Sequence, residues 1–375
     1  MPVEQTGASA ESAASRSAEE TGHIRIGGLR KEYDDVTAVA DFDIEIRPGE
    51  FITLVGPSGC GKTTTLRCVS GLETPTDGDI FIDGERVTDL TANKRNTSMV
   101  FQEWALFPHM TVKENIAFGL EMDNVPKPER EERVTEVLEL VELPGYGDRS
   151  IGELSGGQKQ RVAMARAIVR EPDVLLLDEP LASLDRGLRQ RMQVELKDIQ
   201  EQLGITFLYV THDQEAAMTM SDRIAVMNEG RLEQVGPPTE LYDHPETTFV
   251  ATFLGETNLL TGVTTSSEEG LGVDTGTETL AVGDSGFPPG VEVGVSVRPE
   301  NVTLTRPGGG DELANRYRGT VDDVIYKGAT TKYVVDIGTR TLVAQRQKTR
   351  QESQFQEGEA VVVGFEPSDC ELIEQ

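Results

Sequence analysis

The apolar residues of this chain follow two rhythms. Up to about residue 237, short unbroken apolar runs are interleaved with stretches of helical spacing. Phe51-Ile52-Thr53-Leu54-Val55, Val174-Leu175-Leu176-Leu177 and Phe207-Leu208-Tyr209-Val210 have the length and the β-branched or aromatic content of buried strands. Between them Val134, Val137, Leu138 and Val141 recur at i, i+3, i+4 and i+7, which predicts a helix over 129–142 with one apolar stripe. Strands and helices in alternation predict an α/β domain. Past Pro237 the pattern changes. The stretch 241–254 reads as a helical connection, and the chain beyond it is rich in Gly, Thr and Val. Val291, Val293, Val295 and Val297 alternate with Glu292, Gly294 and Ser296; Tyr333, Val335 and Ile337 repeat that period of two, and 360–365 is expected to be the final apolar strand. Several short strands between glycine turns predict a small barrel or sandwich. The expected boundaries are a leader over 1–22, a first domain over 23–240, a helical linker over 241–256 and a β-rich domain over 257–375.

Composition narrows the setting. A chain of 375 residues is long enough for two domains. No run approaches the ~18–20 apolar residues that a membrane-crossing helix needs. The first 22 residues are rich in Ser, Ala and Glu, with neither a basic start nor an apolar stretch. They are expected to form a disordered acidic leader, not a secretion signal. Three cysteines without paired spacing fit a reducing compartment. With 65 acidic against 35 basic residues, the formal net charge is −30. Such a chain repels itself in dilute buffer, whereas 1 M salt shortens the Debye length to about 3 Å and relieves the repulsion. The balance resembles that of cytoplasmic proteins from salt-accumulating microbes. It also speaks against a nucleic-acid partner, since no basic patch stands out.

Chemistry enters where the first apolar run ends. Gly56-Pro57-Ser58-Gly59-Cys60-Gly61-Lys62-Thr63 has the form GxxxxGK[ST], with a strand pattern before it and a helix-competent sequence, Lys62-Thr63-Thr64 and onward, after it. Glycines at 56, 59 and 61 let successive N–H groups turn inward to meet phosphate oxygens. The helix N-terminus adds the positive end of its dipole. Lys62 is expected to reach the β- and γ-phosphates of a nucleotide, and the Thr63 hydroxyl to ligate Mg²⁺. Cys60 fills a variable position of the loop. An ordinary glycine turn is the alternative, and the flanking strand and helix patterns speak against it. The second apolar run ends in Asp178-Glu179, with Pro180 stopping the strand. Asp178 is placed to hold Mg²⁺, directly or through water, and Glu179 to polarise the water that attacks the γ-phosphate.

A second glycine turn opens another helix. Leu154-Ser155-Gly156-Gly157-Gln158 leads into Lys159-Gln160-Arg161-Val162-Ala163-Met164-Ala165-Arg166-Ala167. The physics repeats that of the phosphate loop: a hydroxyl, two glycine N–H groups and a helix dipole aimed at an anion. Set between a phosphate loop and an acidic strand, this pentapeptide matches letter for letter the signature loop of the ATP-binding cassette (ABC) ATPases, and the chain resembles that family. The resemblance implies an α/β P-loop NTPase fold with ATP and Mg²⁺ bound. It also implies a homodimer in which Ser155, Gly156, Gly157 and Gln158 of one copy face the γ-phosphate held by the other. Further positions are implied by it. Tyr33 matches the aromatic residue that stacks on adenine, and Gln102 the glutamine that senses Mg²⁺ and the attacking water. Asp185, in Ser183-Leu184-Asp185, matches the carboxylate of a loop crossing the dimer interface. His212 matches the histidine that contacts the γ-phosphate. His23, His109 and His244 show no ligand spacing, and no metal site is assigned to them.

The segment after Gln102 bears on partners. Residues 103–112 include Trp104, Leu106, Phe107, Met110 and Val112, too short a stretch to form a core. It is either a plug over the domain or an exposed docking patch. In ABC importers the matching segment helps form the groove that receives a helix of the membrane subunit, so the resemblance favours docking. Glu103-Trp104 departs from the Ser-Tyr or Asn-Tyr expected there. The tail resembles the barrel-like TOBE-type regulatory domain, related to the oligonucleotide-binding (OB) fold, through Ser296-Val297-Arg298-Pro299-Glu300; it implies added dimer contacts or a regulator site. The expected fold is therefore a P-loop ATPase domain followed by a β-rich, OB-like C-terminal domain. The expected role is the ATP-hydrolysing subunit of an importer, at the cytoplasmic face of the membrane, with two permease subunits and a solute-binding protein as partners. Residues 23–375 look most like subunits for spermidine/putrescine uptake, while importers of ferric iron, sugars or inorganic anions share the same features. A soluble ATPase of this family acting on nucleic acid or ribosomes would need a basic surface or an inserted clamp. A scaffold that binds ATP without turnover would have no use for Glu179 and His212.

Overall fold

The computed structural model describes residues 21–267, 270–283, 286–310, 312–348 and 355–374. Residues 1–20 of the expected leader lie outside the described residues. The chain divides into two compact units, one ending at Leu232 and the other beginning at Glu233. Among the described residues, no helix is long and apolar enough to cross a membrane.

In the first unit the strands are Ile24–Tyr33 (β1), Val36–Ile46 (β2), Phe51–Val55 (β3), Asp77–Ile82 (β4), Glu85–Arg86 (β5), Thr97–Val100 (β6), Val174–Asp178 (β7), Thr206–Val210 (β8) and Arg223–Asn228 (β9), with Arg231–Gly236 (β10) at the boundary. The helices are Lys62–Ser70 (α1), Val112–Met122 (α2), Lys127–Leu140 (α3), Gly156–Ile168 (α4), Arg186–Leu203 (α5) and Gln214–Met220 (α6). Among the described residues the strands form one sheet in the order β5-β4-β1-β2-β10-β9-β3-β8-β7-β6. β9, β3, β8, β7 and β6 are parallel neighbours, with Leu54 and Asp178 both beside Val210 and Val100 beside Leu177. Parallel strands bring their C-terminal ends to one edge. The loops after β3, β6, β7 and β8 therefore open together, where α/β sheets bind ligands.

Every residue of β7 is buried, and each large apolar side chain so covered contributes about 1.5–3 kcal/mol. The strand stops at Asp178, and Glu179 already takes a left-handed backbone at φ 47°. The helix expected over 129–142 is α3, which starts two residues earlier; Pro128 sits in its first turn, where no N–H is needed. Val134, Val137, Leu138 and Val141 are all buried, as the stripe predicted.

The segment 103–112 is half-buried, with Trp104, Leu106, Phe107 and Met110 partly exposed beside the domain. Trp104 and Leu106 pack against the helical core, Phe107 meets Phe118 at 4.7 Å between ring centroids, and Val112 is fully buried at the start of α2. Asn115 anchors the loop to α2. Its amide oxygen accepts the Phe107 N–H at 2.8 Å, and its NH₂ donates to the carbonyls of Phe107 at 3.1 Å and Thr111 at 2.9 Å. The loop backbone is held by α2, while Trp104, Leu106, Phe107 and Met110 keep part of their surface open.

In the second unit Pro238–Asp243 (α7) and Thr248–Phe253 (α8) precede Asn258–Ser267 (β11), Gly270–Asp274 (β12), Thr279–Ala281 (β13), Glu292–Val297 (β14), Thr303–Thr305 (β15), Asn315–Tyr326 (β16), Thr330–Asp336 (β17), Thr341–Gln347 (β18), Ala360–Phe365 (β19) and Glu371–Glu374 (β20). They form two antiparallel sheets, β13-β12-β11-β14-β20 and β15-β19-β16-β17-β18. One apolar cluster, including Val293, Val295, Val335, Val363 and Phe365, fills the space they share. This is the β-rich, OB-like unit expected. Two details differ from expectation. β19 is not the last strand, because β20 comes after it and pairs with β14. β14 is covered on both faces: Gly294 and Ser296 are buried along with the valines, and a Cβ at Gly294 would lie 3.1 Å from Thr248 Cγ2 of α8. Just beyond it Arg298, 7% exposed, donates to the carbonyls of Tyr242 at 2.8 Å and Ala251 at 2.9 Å and stands 4.0 Å from the Tyr242 ring centroid.

Candidate active site

The turn between β3 and α1 depends on glycine. Gly56 (φ 155°) and Gly61 (φ 106°) hold conformations that L side chains rarely adopt; a Cβ would fall 2.2 Å from the Met227 carbonyl oxygen and 2.5 Å from that of Ala38, respectively. α1 begins at Lys62 without a side-chain cap, which leaves its first N–H groups to bind an anion. Lys62, 6% exposed, folds back on the loop, its ammonium donating to the carbonyls of Gly56 at 2.7 Å and Pro57 at 2.9 Å, with Cys60 Sγ at 3.6 Å. Pro57, Ser58 and Gly59 form the exposed crown of the loop; Cys60 is buried and Thr64 is half-buried on the first turn of α1. At the other end of α1 a buried Arg95 donates to the Cys68 and Val69 carbonyls at 2.7 Å each. A cation there complements the helix dipole and fixes the helix that carries the loop.

Thr63 Oγ1 donates to Asp178 Oδ1 at 3.0 Å. Burial pushes the Asp178 pKa up, and the Thr63 hydrogen bond opposes the shift. Hydroxyl and carboxylate are hard oxygen donors beside a phosphate-binding turn. This set fits Mg²⁺, which takes one or two protein oxygens and completes its shell with phosphate oxygens and water. One residue further, Glu179 is swung out of the strand by its left-handed backbone, and its N–H donates to the Val210 carbonyl at 3.0 Å. Glu179 Oε2 lies 3.1 Å from His212 Nδ1, with the Glu179 side chain 21% exposed and that of His212 59% exposed. Gln102, exposed, comes just after β6 and so reaches the same edge from the strand paired with β7.

The second glycine turn is a separate element. Ser155 N–H donates to Gln158 Oε1 at 2.9 Å and Gln158 N–H to Ser155 Oγ at 3.4 Å, a reciprocal cap on α4. Gln158 Nε2 also donates to the Tyr146 hydroxyl at 3.3 Å. Gly156 and Gly157 are the first residues of the helix. A Cβ on Gly156 would lie 3.6 Å from Trp104 Cη2, and one on Gly157 2.9 Å from Leu188 Cδ2, so both glycines also serve packing. Asp185, exposed, caps α5 by accepting the Leu188 N–H at 3.0 Å. Tyr33, 39% exposed at the end of β1, has the Lys31 ammonium 4.8 Å from its ring centroid. The chain thus gathers Thr63 with Asp178 and Glu179 with His212, whereas Ser155, Asp185 and Tyr33 bond within their own neighbourhoods. Arg166, which escaped the sequence reading, donates to the carbonyls of Trp104 at 2.9 Å and Ala105 at 2.8 Å. Its one signal is a charged residue between two buried alanines of α4.

Two family models match this chain: ABC transporter over residues 39–182 and TOBE domain over residues 295–373. The spermidine/putrescine import ATP-binding protein PotA of Rubrobacter xylanophilus is 47% identical, over 93% of this chain and 93% of the relative. The chain belongs to the ABC transporter family. The protein of the same name from Thermobifida fusca is 48% identical over 88% of this chain and 87% of the relative. Among solved structures, a dimeric ATP-binding cassette in a post-hydrolysis state bound to ADP and Pi is 31% identical, covering 57% of this chain and 98% of that one at a TM-score of 0.52. CbiO1 of Clostridium perfringens, part of the ABC transporter complex CbiONQ, is 31% identical, covering 59% of this chain and 90% of its own at a TM-score of 0.55. For this ABC ATPase the TOBE match begins inside β14 and ends inside β20, within the second unit.

Proposed function

We propose that this chain is the ATP-hydrolysing subunit of an importer for polyamines of the spermidine/putrescine type. It works as a homodimer at the cytoplasmic face of the membrane, held there by two permease subunits that receive cargo from a solute-binding protein. The cargo rests on the relatives, which are named for spermidine/putrescine import at 47% and 48% identity. The catalytic half rests on one observation: Thr63–Asp178 at 3.0 Å and Glu179–His212 at 3.1 Å lie at the ends of neighbouring parallel strands beside the phosphate loop.

As ATP enters, Lys62 exchanges the Gly56 and Pro57 carbonyls for the β- and γ-phosphates, and the loop N–H groups close on phosphate oxygens. Thr63 and Asp178 would hold Mg²⁺, which would neutralise and orient the phosphates. Glu179 takes the proton of the attacking water, His212 fixes Glu179 and faces the γ-phosphate, and Gln102 monitors both from the loop after β6. Tyr33 offers its ring to adenine. Ser155, Gly156, Gly157 and Gln158 grip the ATP of the twin copy, and Asp185 belongs to the loop that crosses between copies. The dimeric cassette with ADP and Pi supports this paired mode. A net charge of −30 supports a high-salt cytoplasm as the working medium.

Two experiments separate the parts. Glu179→Gln with ATP is expected to form a dimer by light scattering, and adding Ser155→Arg to it should leave a monomer that still binds ATP. A Ser155→Arg protein that dimerises normally would sink the shared site. For cargo, proteoliposomes with the permeases and binding protein should take up labelled spermidine and putrescine with ATP. Uptake of ferric iron, maltose or sulfate in their place would replace the cargo assignment.

A further inference from the structure

Trp104, the chain's only tryptophan, ties the loop after Gln102 to α4 at two points. At one, Arg166 donates to the carbonyls of Trp104 and Ala105 at 2.9 Å and 2.8 Å. At the other, the indole ring reaches the start of the helix, with Cη2 3.6 Å from where a Gly156 Cβ would lie. Trp104 and Ala105 are consecutive left-handed residues, φ 59° and 47°. Non-glycine residues seldom take this conformation, and it persists only where the surroundings over-determine it.

Two buried polar groups in this region lack partners. The Trp104 Nε1–H is buried without an acceptor, and Gln160 is 0% exposed with neither Oε1 nor Nε2 bonded. Gln160 lies four residues after Gly156, which puts it one turn further along the same stripe of α4. A donor without an acceptor and an amide with nothing bound are complementary, and such orphans are rare in native proteins.

We infer that Trp104 and Gln160 form a positioning pair for ATP turnover. In the closed state the indole N–H donates to Gln160 Oε1, so that the Gln102 loop at one nucleotide and the Ser155 turn at the other move together. The inference rests on the roles proposed above for Gln102 and Ser155. Neither member touches nucleotide; both act through the elements they join. The left-handed pair at 104 and 105 supplies the backbone change, since it can relax when the loop shifts along α4.

Trp104→Phe, Gln160→Met and the double variant, made in the full chain, test it. Each single change is expected to lower kcat about tenfold while KM for ATP stays within about twofold. The double variant should be no slower than the worse single, because a pair acting as a unit is not additive. Losses that multiply to about a hundredfold, or singles with wild-type kcat, overturn the inference. Should a variant fail to fold, the unaltered Trp104 still reports. In Glu179→Gln protein, ATP is expected to shift the indole emission maximum, and an unchanged spectrum in protein shown to have dimerised overturns the inference. Failure of that protein to dimerise overturns the shared ATP site and this inference with it, which distinguishes the two.

Discussion

Replacing Glu179 with glutamine separates chemistry from structure at this site. The two side chains have the same shape, and glutamine Oε1 can still accept from His212 Nδ1 across the present 3.1 Å. The backbone anchor, Glu179 N–H to the Val210 carbonyl at 3.0 Å, is untouched. Because His212 is 59% exposed, the pair is worth at most about 1 kcal/mol to stability, and the variant should melt within a few degrees of wild type. Turnover is another matter. A positioned general base contributes about 10²–10⁴ in rate, or roughly 2.7–5.5 kcal/mol of barrier, and an amide cannot accept the proton. The expected result is phosphate release slowed by that factor, with ATP binding by calorimetry and the melting temperature nearly unchanged. Glu179→Ala should in addition weaken ATP binding, since His212 loses its acceptor. A glutamine variant that keeps a tenth or more of wild-type kcat would refute the assignment and leave Glu179 as a partner for His212 only.

Three further outcomes rest on the same physics. Burial holds the Asp178 pKa above its unfolded value, so the stability associated with its proton is fully present below about pH 3.9 and is lost as pH rises through the folded value. Asp178→Asn removes that loss: in nucleotide-free protein its melting temperature should gain on wild type as pH rises from about 4 to 7, while Mg²⁺-dependent turnover collapses. A pH-independent difference would contradict the burial argument. Arg298→Met breaks two charged-donor hydrogen bonds, at 2.8 Å and 2.9 Å, and a ring contact at 4.0 Å, for a loss of about 3–5 kcal/mol from the second unit. Urea unfolding measures it, and a loss under about 1 kcal/mol would show the contacts to be idle. Finally, with a net charge of −30, refolding yield and ATPase rate should both rise from low to molar KCl; flat curves dismiss the high-salt adaptation.

The features legible in the sequence are those that local chemistry dictates. β3, β7 and β8 announce themselves because strands buried on both faces are unbroken apolar runs, and the residues at their ends carry the chemistry. The phosphate loop is legible because Gly56 and Gly61 have no room for a Cβ. The Glu179–His212 contact is of another kind. It exists because β8 lies beside β7 in the sheet order, and no spacing between positions 179 and 212 expresses that; only the family resemblance brought the two together. How the loop at 103–112 is anchored is not legible, because its linear pattern cannot show Asn115, on the next helix, satisfying its backbone. β20 stayed hidden because its two apolar residues, Leu372 and Ile373, sit between glutamates and carry no period. Gln160 and Arg166 read as mere continuations of a helix, since periodicity counts apolar positions and is blind to a polar side chain on the covered face. Residues that join two loops are therefore the ones a linear reading passes over. The proposed Trp104–Gln160 pair is of this kind, and the double-variant kinetics would show whether such a joint sets the rate.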